Sequence, residues 1–412
     1  MPNYEANKVD VINTFEQALD IIKTMDNITC GAPKIVYLVG WQYMGHDDKY
    51  PAFFECNEAL KRPKDATAKD SLLWLMKEAK KYNTIVSLHI NFTDAYPDSP
   101  LWQEYIDNDL ILRKKNGKLK CTGTWNNSKA YQVRYAKEFE TGYFQKRFDR
   151  LCEYLPIQDA KTIHADAFFV RKGKDTTIEQ EKQGRRKMIE YVMSKGIDVT
   201  SEFIYREHKS GYHAHHGKSD IIDLIPAYWH LSLYRSDITK YQASEMAGRQ
   251  HPTLSKDRSL HWLIYGNVHG EDCFNQANRQ SEKFQKLFAT DGLVYLFLNE
   301  HKRVKLNGYF RSRSMEYTDG ITTYIKNKKI IQNGKTLKCG ENLCLPIAWN
   351  KGCYIAYSAD STNAEWHMAN GKYNIYKVNI TDKEFIQSIE VKGEKYNAKT
   401  QPHTQYYIEK IN

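Results

Sequence analysis

No stretch of this 412-residue chain approaches eighteen consecutive apolar residues, so no membrane insertion is expected. The first residues, MPNYEANKVDVINTFEQ, lack the apolar centre of a signal peptide, which predicts either a cytoplasmic chain or a trimmed start. The eight cysteines (30, 56, 121, 152, 273, 339, 344 and 353) include no CxxC pair, so neither a zinc ribbon nor a disulfide scaffold is expected and most read as buried thiols. Charge of one sign is nowhere concentrated. Sixty Lys+Arg against fifty Asp+Glu leave +10, but the basic residues are interleaved with acids. Short groups such as 171–174 and 184–187 read as solvated faces, and no nucleic-acid partner is expected. Internal repeats, low-complexity linkers and a glycine-rich first turn are also missing.

What is present describes a globular chain: 41% hydrophobic and 27% charged residues exclude disorder and collagen. At about 150 residues per domain, the length allows one large domain and a smaller one. The aromatic share, 13% with 29 Tyr and 8 Trp, suits either ordinary cores or clefts in which rings stack on sugars.

From residue 14 to about 300, helical periods alternate with short apolar runs. Helices are expected at Phe15–Met25 (capped by Thr14), Ala68–Lys81, Glu138–Tyr154, Thr177–Lys195 and Gln276–Phe288. Strands are expected at Lys34–Gly40, Thr84–Asn91, Thr162–Phe168, Ile197–Phe203, Ile221–Ala227, Leu260–Tyr265 and Leu293–Leu298, with an eighth around Tyr131–Tyr135. Such alternation predicts a (β/α)₈ TIM-type barrel over 1–302, with a doubly wound sheet as the alternative. After Asn299 the pattern becomes short alternating runs punctuated by Asn333-Gly334 and Asn370-Gly371, which predicts an antiparallel β-sandwich over 303–412.

Period-two alternation then sorts the barrel strands by face. His164, Asp166 and Phe168 fall on one face of their strand, Asp198, Thr200 and Glu202 on one face of the next, and Ser87, His89 and Asn91 on one face of Thr84–Asn91. These polar sets cluster near strand C-termini, where barrel enzymes build active sites. Asp166 and Glu202 are one βα unit apart, so neighbouring strands should present them about 5–5.5 Å from each other, the separation of a retaining glycosidase. One carboxyl would attack an anomeric carbon, and the other would protonate the leaving oxygen and then activate water. The blander reading makes either acid a structural ion-pair member.

The strings IVYLVGWQYMGHDDKYP (35–51), DSLLWLMKEAKKYNTIVSLHINFTDAY (70–96) and TGTWNN (122–127), with TIHADAF and DVTSEF, resemble the catalytic barrel of the endo-α-N-acetylgalactosaminidases, glycoside hydrolase family 101. The resemblance covers most of residues 14–300. It implies a retaining enzyme that needs no cofactor and no metal, and that releases Gal-β1,3-GalNAc from Ser or Thr of O-glycoproteins. Asp166 then corresponds to the nucleophile, Glu202 to the acid/base, His46 and Asp47 to sugar-hydroxyl ligands, and Trp125 to an aromatic that covers the sugar. His89, Asn91 and Trp229 are further candidate substrate contacts. The family's larger members carry flanking modules and act outside bacterial cells, so the resemblance implies a secreted or cell-surface enzyme.

Other readings stay open at this point. An exo-acting α-galactosidase or α-N-acetylgalactosaminidase of the same fold, and a catalytically idle glycan-binding barrel, both fit the pattern. His208, His213, His215 and His216 could bind a metal, or line a polar loop. The pair His164-x-Asp166 would suit a metal-dependent hydrolase, and Trp229 and Asn267 either touch sugar or pack a rim.

Overall fold

The structure, a computed structural model, describes residues 10–201, 263, 271–274, 279–301, 303–360 and 363–411. The chain divides into two compact units, one of residues 1–19 with 34–242 and the other of residues 20–33 with 243–412. The architecture is mixed α/β with a C-terminal antiparallel β region. Among the described residues no helix is long and apolar enough to cross a membrane.

In the first unit, strands β1 (Lys34–Leu38), β2 (Thr84–Asn91), β6 (Thr162–Asp166) and β7 (Asp198–Ser201) form a parallel sheet in the order β1-β2-β6-β7. Helices α2 (Ala68–Ala79) and α7 (Ile178–Ser194) connect them. Both begin with a reciprocal capping box, Thr67 with Asp70 and Thr177 with Gln180, in which each side chain satisfies a backbone N–H that the first helical turn leaves open. Helix α1 (Phe15–Ile28) starts in the same manner, Thr14 and Gln17 exchanging bonds of 2.9 and 3.3 Å.

Three expectations change on local grounds. The helix expected at Glu138–Tyr154 is two, α4 (Tyr135–Glu140) and α5 (Tyr143–Tyr154), because Gly142 takes a left-handed φ of 82°. The eighth strand expected around Tyr131–Tyr135 is not parallel. Residues Ser128–Gln132 (β5) instead pair antiparallel with β4 (Cys121–Trp125) and β3 (Asp94–Ala95), because Asn126 and Asn127 both adopt positive φ (47° and 61°) and close a two-residue hairpin. Leu293–Leu298 is helical, within Leu293–Asn299, and continues a helix from Ser281 through a π-helical turn at Phe288–Gly292. A six-residue apolar run has no period that separates a buried strand from a buried helix. The strand expected at Ile221–Ala227 lies outside the described residues, as does Leu260–Tyr265 apart from Leu263, which is helical.

Of the two basic groups read as solvated, 171–174 has no buried residue, but 184–187 differs. Gly184 and Arg185 are buried, and Arg185 Nη1 donates to the Phe168 carbonyl at 3.1 Å. Beside them, Arg147 is 2% exposed, paired with the fully buried Glu138 at 2.6 Å, and surrounded at 5.4 Å by the rings of Phe53, Phe92 and Phe144. Tyr105 donates its hydroxyl to the same carboxylate. Removing either partner of such a buried pair costs about 3–5 kcal/mol, since the survivor is left charged and desolvated.

In the second unit, among the described residues, ten strands form one antiparallel sheet, and Asn363–His367 pairs antiparallel with the sequence-distant Lys395–Lys399 in a second, two-stranded sheet. Asn333 and Gly334 (φ 49° and 81°) close the two-residue hairpin between Lys329–Gln332 and Lys335–Cys339. Asn370-Gly371, by contrast, leads from the small sheet to the large one. One core lies between the sheet and the 281–299 helical segment, through Phe284, Phe288, Leu293 and Phe297 against Met315, Ile330, Leu345 and Ile355. A second lies between the two sheets, around Trp366, Tyr373, Ile375 and Tyr406.

Gly184 supplies a stability test. A Cβ there would lie 2.3 Å from the Ala136 backbone nitrogen, so α4 can approach α7 this closely only over a glycine. Gly184→Ala gains about 1 kcal/mol of helix propensity but has to push the two helix backbones apart, an overpacking cost of about 1–3 kcal/mol or more. Thermal melting is expected to show a net destabilisation, and an unchanged or raised Tm would refute the close packing.

Candidate active site

The parallel register places the polar residues. On β2 and β6, His89 is level with His164 and Asn91 with Asp166. On β6 and β7, His164 is level with Thr200. The imidazoles of His89 and His164 lie 4.8 Å apart, His164 Nδ1 is 2.8 Å from Thr200 Oγ1, and Tyr37 of β1 packs 5.3 Å from His164. This face of the sheet is therefore built from hydrogen-bonding rings and hydroxyls, and it ends at the two C-terminal residues Asn91 and Asp166.

Above them sits the loop 40–49. Its path demands left-handed backbone at Gly40, Tyr43, Gly45, Asp47 and Lys49, a density of positive φ that non-glycine residues adopt only when other contacts hold them. Those contacts are visible. Gly45 N donates to the Gln42 carbonyl at 2.8 Å, Gln42 Nε2 donates back to the Gly45 carbonyl at 3.1 Å, and Met44 N donates to Asp48 Oδ2 at 2.9 Å. Fully buried Trp41 anchors the start of the loop by donating Nε1 to the His89 carbonyl at 3.1 Å. The outcome is that His46 Nε2 lies 3.4 Å from Asp47 Oδ2 and 3.6 Å from Asp166 Oδ2. The His46 ring meets His89 edge-on at 5.1 Å, and Tyr50 brings its hydroxyl to 3.4 Å from His46 Nδ1. Burial and the carboxylates of Asp47 and Asp166 hold the Tyr50 hydroxyl well above its usual range, so it stays protonated.

The three donor atoms of His46, Asp47 and Asp166 lie within 4.8 Å of one another. A span of that size fits either a small cation or, with no ion, an imidazole set between two carboxylates.

Trp125, 38% exposed, stands at the tip of the β4–β5 hairpin. Its indole lies over Gly123, where a Cβ would come within 2.8 Å of the ring. The adjacent Asn126 donates Nδ2 to the His46 carbonyl at 2.8 Å and so joins the hairpin to the loop. The structure thus brings together His46, Asp47, His89, Asn91 and Asp166, with Trp125 on a hairpin tied to the same loop. Glu202, Trp229, Asn267 and His208–His216 lie outside the described residues.

Several neighbours were not singled out from sequence. Asp94, 5% exposed, accepts from Asn91 Nδ2 at 2.9 Å and from Thr122 Oγ1 at 2.7 Å. Burial pushes its carboxyl up to about 6 against the pull of these bonds and of Arg171, with the Asp47 charge adding to the rise. Tyr50 and Tyr96 complete the wall around Asp47. The signal available was the string FTDAY, in which an acid three residues past a strand end has a large aromatic two residues away on each side.

The family model of the endo-alpha-N-acetylgalactosaminidases, glycoside hydrolase family 101, matches residues 6–221. The chain belongs to this family. The solved structures similar to it include the alpha-N-acetylgalactosaminidase NagBb from Bifidobacterium bifidum in three states. Its GalNAc complex superposes with a TM-score of 0.55 at 13% identity, covering 81% of this chain and 55% of that one. The corresponding figures for its Gal-NHAc-DNJ complex are 0.54, 13%, 81% and 55%, and for the ligand-free form 0.53, 13%, 80% and 55%. The chain thus spans about half the length of NagBb, and at this identity the likeness is one of fold. No curated protein matches the sequence. Within family 101, the shared segment takes in the 40–49 loop, β2, the hairpin and β6, and so all the residues gathered around Asp166.

Asp94 gives this site a pH signature. A carboxyl whose folded pKa lies above its unfolded value of about 3.9 binds its proton more tightly in the folded state. The contribution to stability is full below that unfolded value and declines as pH rises towards about 6. The whole change is of order 3 kcal/mol at most. Melting curves from pH 4 to 7 should therefore show Asp94→Asn losing less stability with rising pH than the wild type, and equal slopes would contradict the buried, protonatable Asp94.

Proposed function

We propose that the protein is a retaining glycoside hydrolase acting on α-linked N-acetylgalactosaminides, with Asp166 as nucleophile and Glu202 as acid/base. The observation that carries this reading is the convergence of His46, Asp47 and Asn91 on the Asp166 carboxylate, at the C-terminal end of a parallel strand, in a member of family 101. The proposed frame is a (β/α)₈ barrel over 1–302 followed by a β-sandwich over 303–412. The 281–299 segment would belong to the barrel by sequence although its apolar face packs in the second unit's core.

The chemistry follows from the residues. Asp166 attacks the anomeric carbon, the glycosidic bond breaks, and Glu202 delivers a proton to the departing oxygen. Glu202 then removes a proton from water, which displaces Asp166 and restores the configuration. The register supports the pairing, since Ala165 is level with Ser201 and the next residues in the two sequences are Asp166 and Glu202. Asn91, donating to Asp166 Oδ2 at 3.2 Å, orients the carboxyl for attack. Asp47 accepts from two neighbouring sugar hydroxyls with His46 beside it, and Trp125, exposed at the hairpin tip, covers a sugar face. His89, packed against His164 beneath this group, supports the floor of the site, and Trp229 is kept as a further sugar contact. No cofactor or metal takes part.

The substrate proposed is the core 1 O-glycan, with release of Gal-β1,3-GalNAc from Ser or Thr. The alpha-N-acetylgalactosaminidase that this chain resembles in fold favours a second reading, release of single N-acetylgalactosamine residues. Mass spectrometry of the sugar freed from a core 1 glycopeptide separates them: a disaccharide supports the first reading, a monosaccharide after removal of galactose the second, and no release from either glycopeptide rejects both. Three variants test the roles. Asp166→Asn should fold and lose essentially all turnover, and more than a few per cent of activity would remove it as nucleophile. Glu202→Gln should retain the first step on aryl glycosides with good leaving groups while losing natural substrates; equal losses on both would argue against an acid. Asp47→Ala should lower kcat/KM by about one to two orders of magnitude, whereas an unchanged kcat/KM with a lowered Tm would make it a turn cap. Dialysis against a chelator should leave the rate unchanged.

A further inference from the structure

Sequence alternation makes Asn91 a candidate substrate contact, but its carboxamide is already committed. Its Oδ1 accepts from the backbone nitrogens of Thr93 at 2.7 Å and Asp94 at 2.9 Å, which fixes which end of the amide is oxygen. The two hydrogens on Nδ2 are then directed to Asp94 Oδ2 at 2.9 Å and Asp166 Oδ2 at 3.2 Å. Two acceptor sites and two donors are all that a carboxamide has, so none remains for a sugar. Asn91 is fully buried. The backbone bonds hold the oxygen end, but without the Asp94 carboxylate one Nδ2 hydrogen is left buried with no acceptor, a cost that the amide relieves by tilting out of its plane and away from Asp166.

Asp94 is itself held from outside the strand. It is the first residue of β3, level with Gln132 of β5, and its other oxygen accepts from Thr122 Oγ1 at 2.7 Å. Thr122 belongs to β4, the strand that ends at Trp125. We propose that Asp94 is a positioning residue acting through Asn91: it holds the carboxamide in the orientation that donates to Asp166, and it couples that orientation to the strand carrying Trp125. The relay Asp166–Asn91–Asp94–Thr122 thereby links the reacting carboxylate to the hairpin above the site. This rests on Asp166 being the nucleophile. A carboxylate misplaced by about 1 Å is enough to cost on the order of a hundredfold in rate.

The test combines kinetics on an aryl α-N-acetylgalactosaminide with crystal structures of the variants. Asp94→Ala is expected to lower kcat by about tenfold or more with KM within about threefold, because the loss falls on attack rather than on binding. Asp94→Asn should recover part of that loss, since its one amide oxygen can still accept from Asn91 while its NH₂ donates to the Thr122 hydroxyl. In an Asn91→Ala background, Asp94→Ala should add almost nothing, as expected for two residues acting in series. Independent, multiplying losses would overturn the proposal, as would a loss confined to KM. Thr122→Val, which preserves shape, covers the case in which Asp94→Ala does not fold: kcat should fall a few-fold, and an unchanged kcat overturns the coupling. In the Asp94→Ala crystal structure the Asn91 amide should have turned away from Asp166, and an unmoved amide refutes the proposal. This structural arm decides the matter even if the wild type cleaves no galactosaminide, which would instead reject the assigned function.

Discussion

The site hangs on a parallel register. Because β2 and β6 pair so that Asn91 is level with Asp166, an amide and a carboxylate meet at the end of the sheet without either side chain having to reach. Shifting one strand by a single residue would send Asp166 to the opposite face and replace it with an alanine. The register is defended from below by paired imidazoles, since His89 and His164 occupy the preceding matched positions and pack, tilted, at 4.8 Å. It is defended on the opposite face by buried aliphatic residues, Val86, Leu88 and Ile90 on one strand and Ile163 and Ala165 on the other. Loop 40–49, with five left-handed residues, can be held in place because Trp41 fastens it to the backbone carbonyl of His89 on that same strand.

The features of this arrangement legible from sequence are the ones governed by short-range periodicity. Alternation in TIVSLHIN and TIHAD assigns faces because a strand has period two, and the helix starts at Thr14, Thr67 and Thr177 follow from side chains that cap their own helices. Local signals failed where a residue's conformation, and not its polarity, decides the outcome. Asn126 and Asn127 convert an expected parallel strand into a hairpin by taking positive φ, and Gly142 breaks a helix whose hydrophobic pattern runs on. The contacts that join loop, hairpin and strand are beyond any window, being separated by 28 residues for Asp94 and Thr122 and by 80 for His46 and Asn126. Asp94 escaped notice for that reason: its meaning lies in two partners on different elements.

Charge burial follows a consistent rule across the first unit. Arg147 and Glu138 are withdrawn from water as a pair, with Tyr105 completing the carboxylate's bonds and three phenylalanine rings enclosing the guanidinium. Glu181, pushed up to about 7 by burial, accepts from Thr176 at 2.8 Å and from the Ala136 nitrogen at 3.4 Å. It therefore sits at the N-terminal end of α4, where the helix dipole favours negative charge. Asp94 resembles Glu181 in that its two donors are neutral, here an amide and a hydroxyl, so burial wins at both and the Asp94 carboxyl holds a proton more readily than a surface aspartate.

The polar face beneath the site also limits how this protein can change over evolutionary time. Beneath its helices, leucine, methionine and isoleucine can be exchanged at modest cost because dispersion has no direction. On the face carrying Tyr37, His164 and Thr200, the hydroxyls and the imidazole are placed by oriented bonds, so a hydrophobic replacement leaves a partner stranded. Drift there requires two compensating substitutions at once. A lineage should consequently preserve this layer as a block, and lose it as a block once catalysis no longer matters.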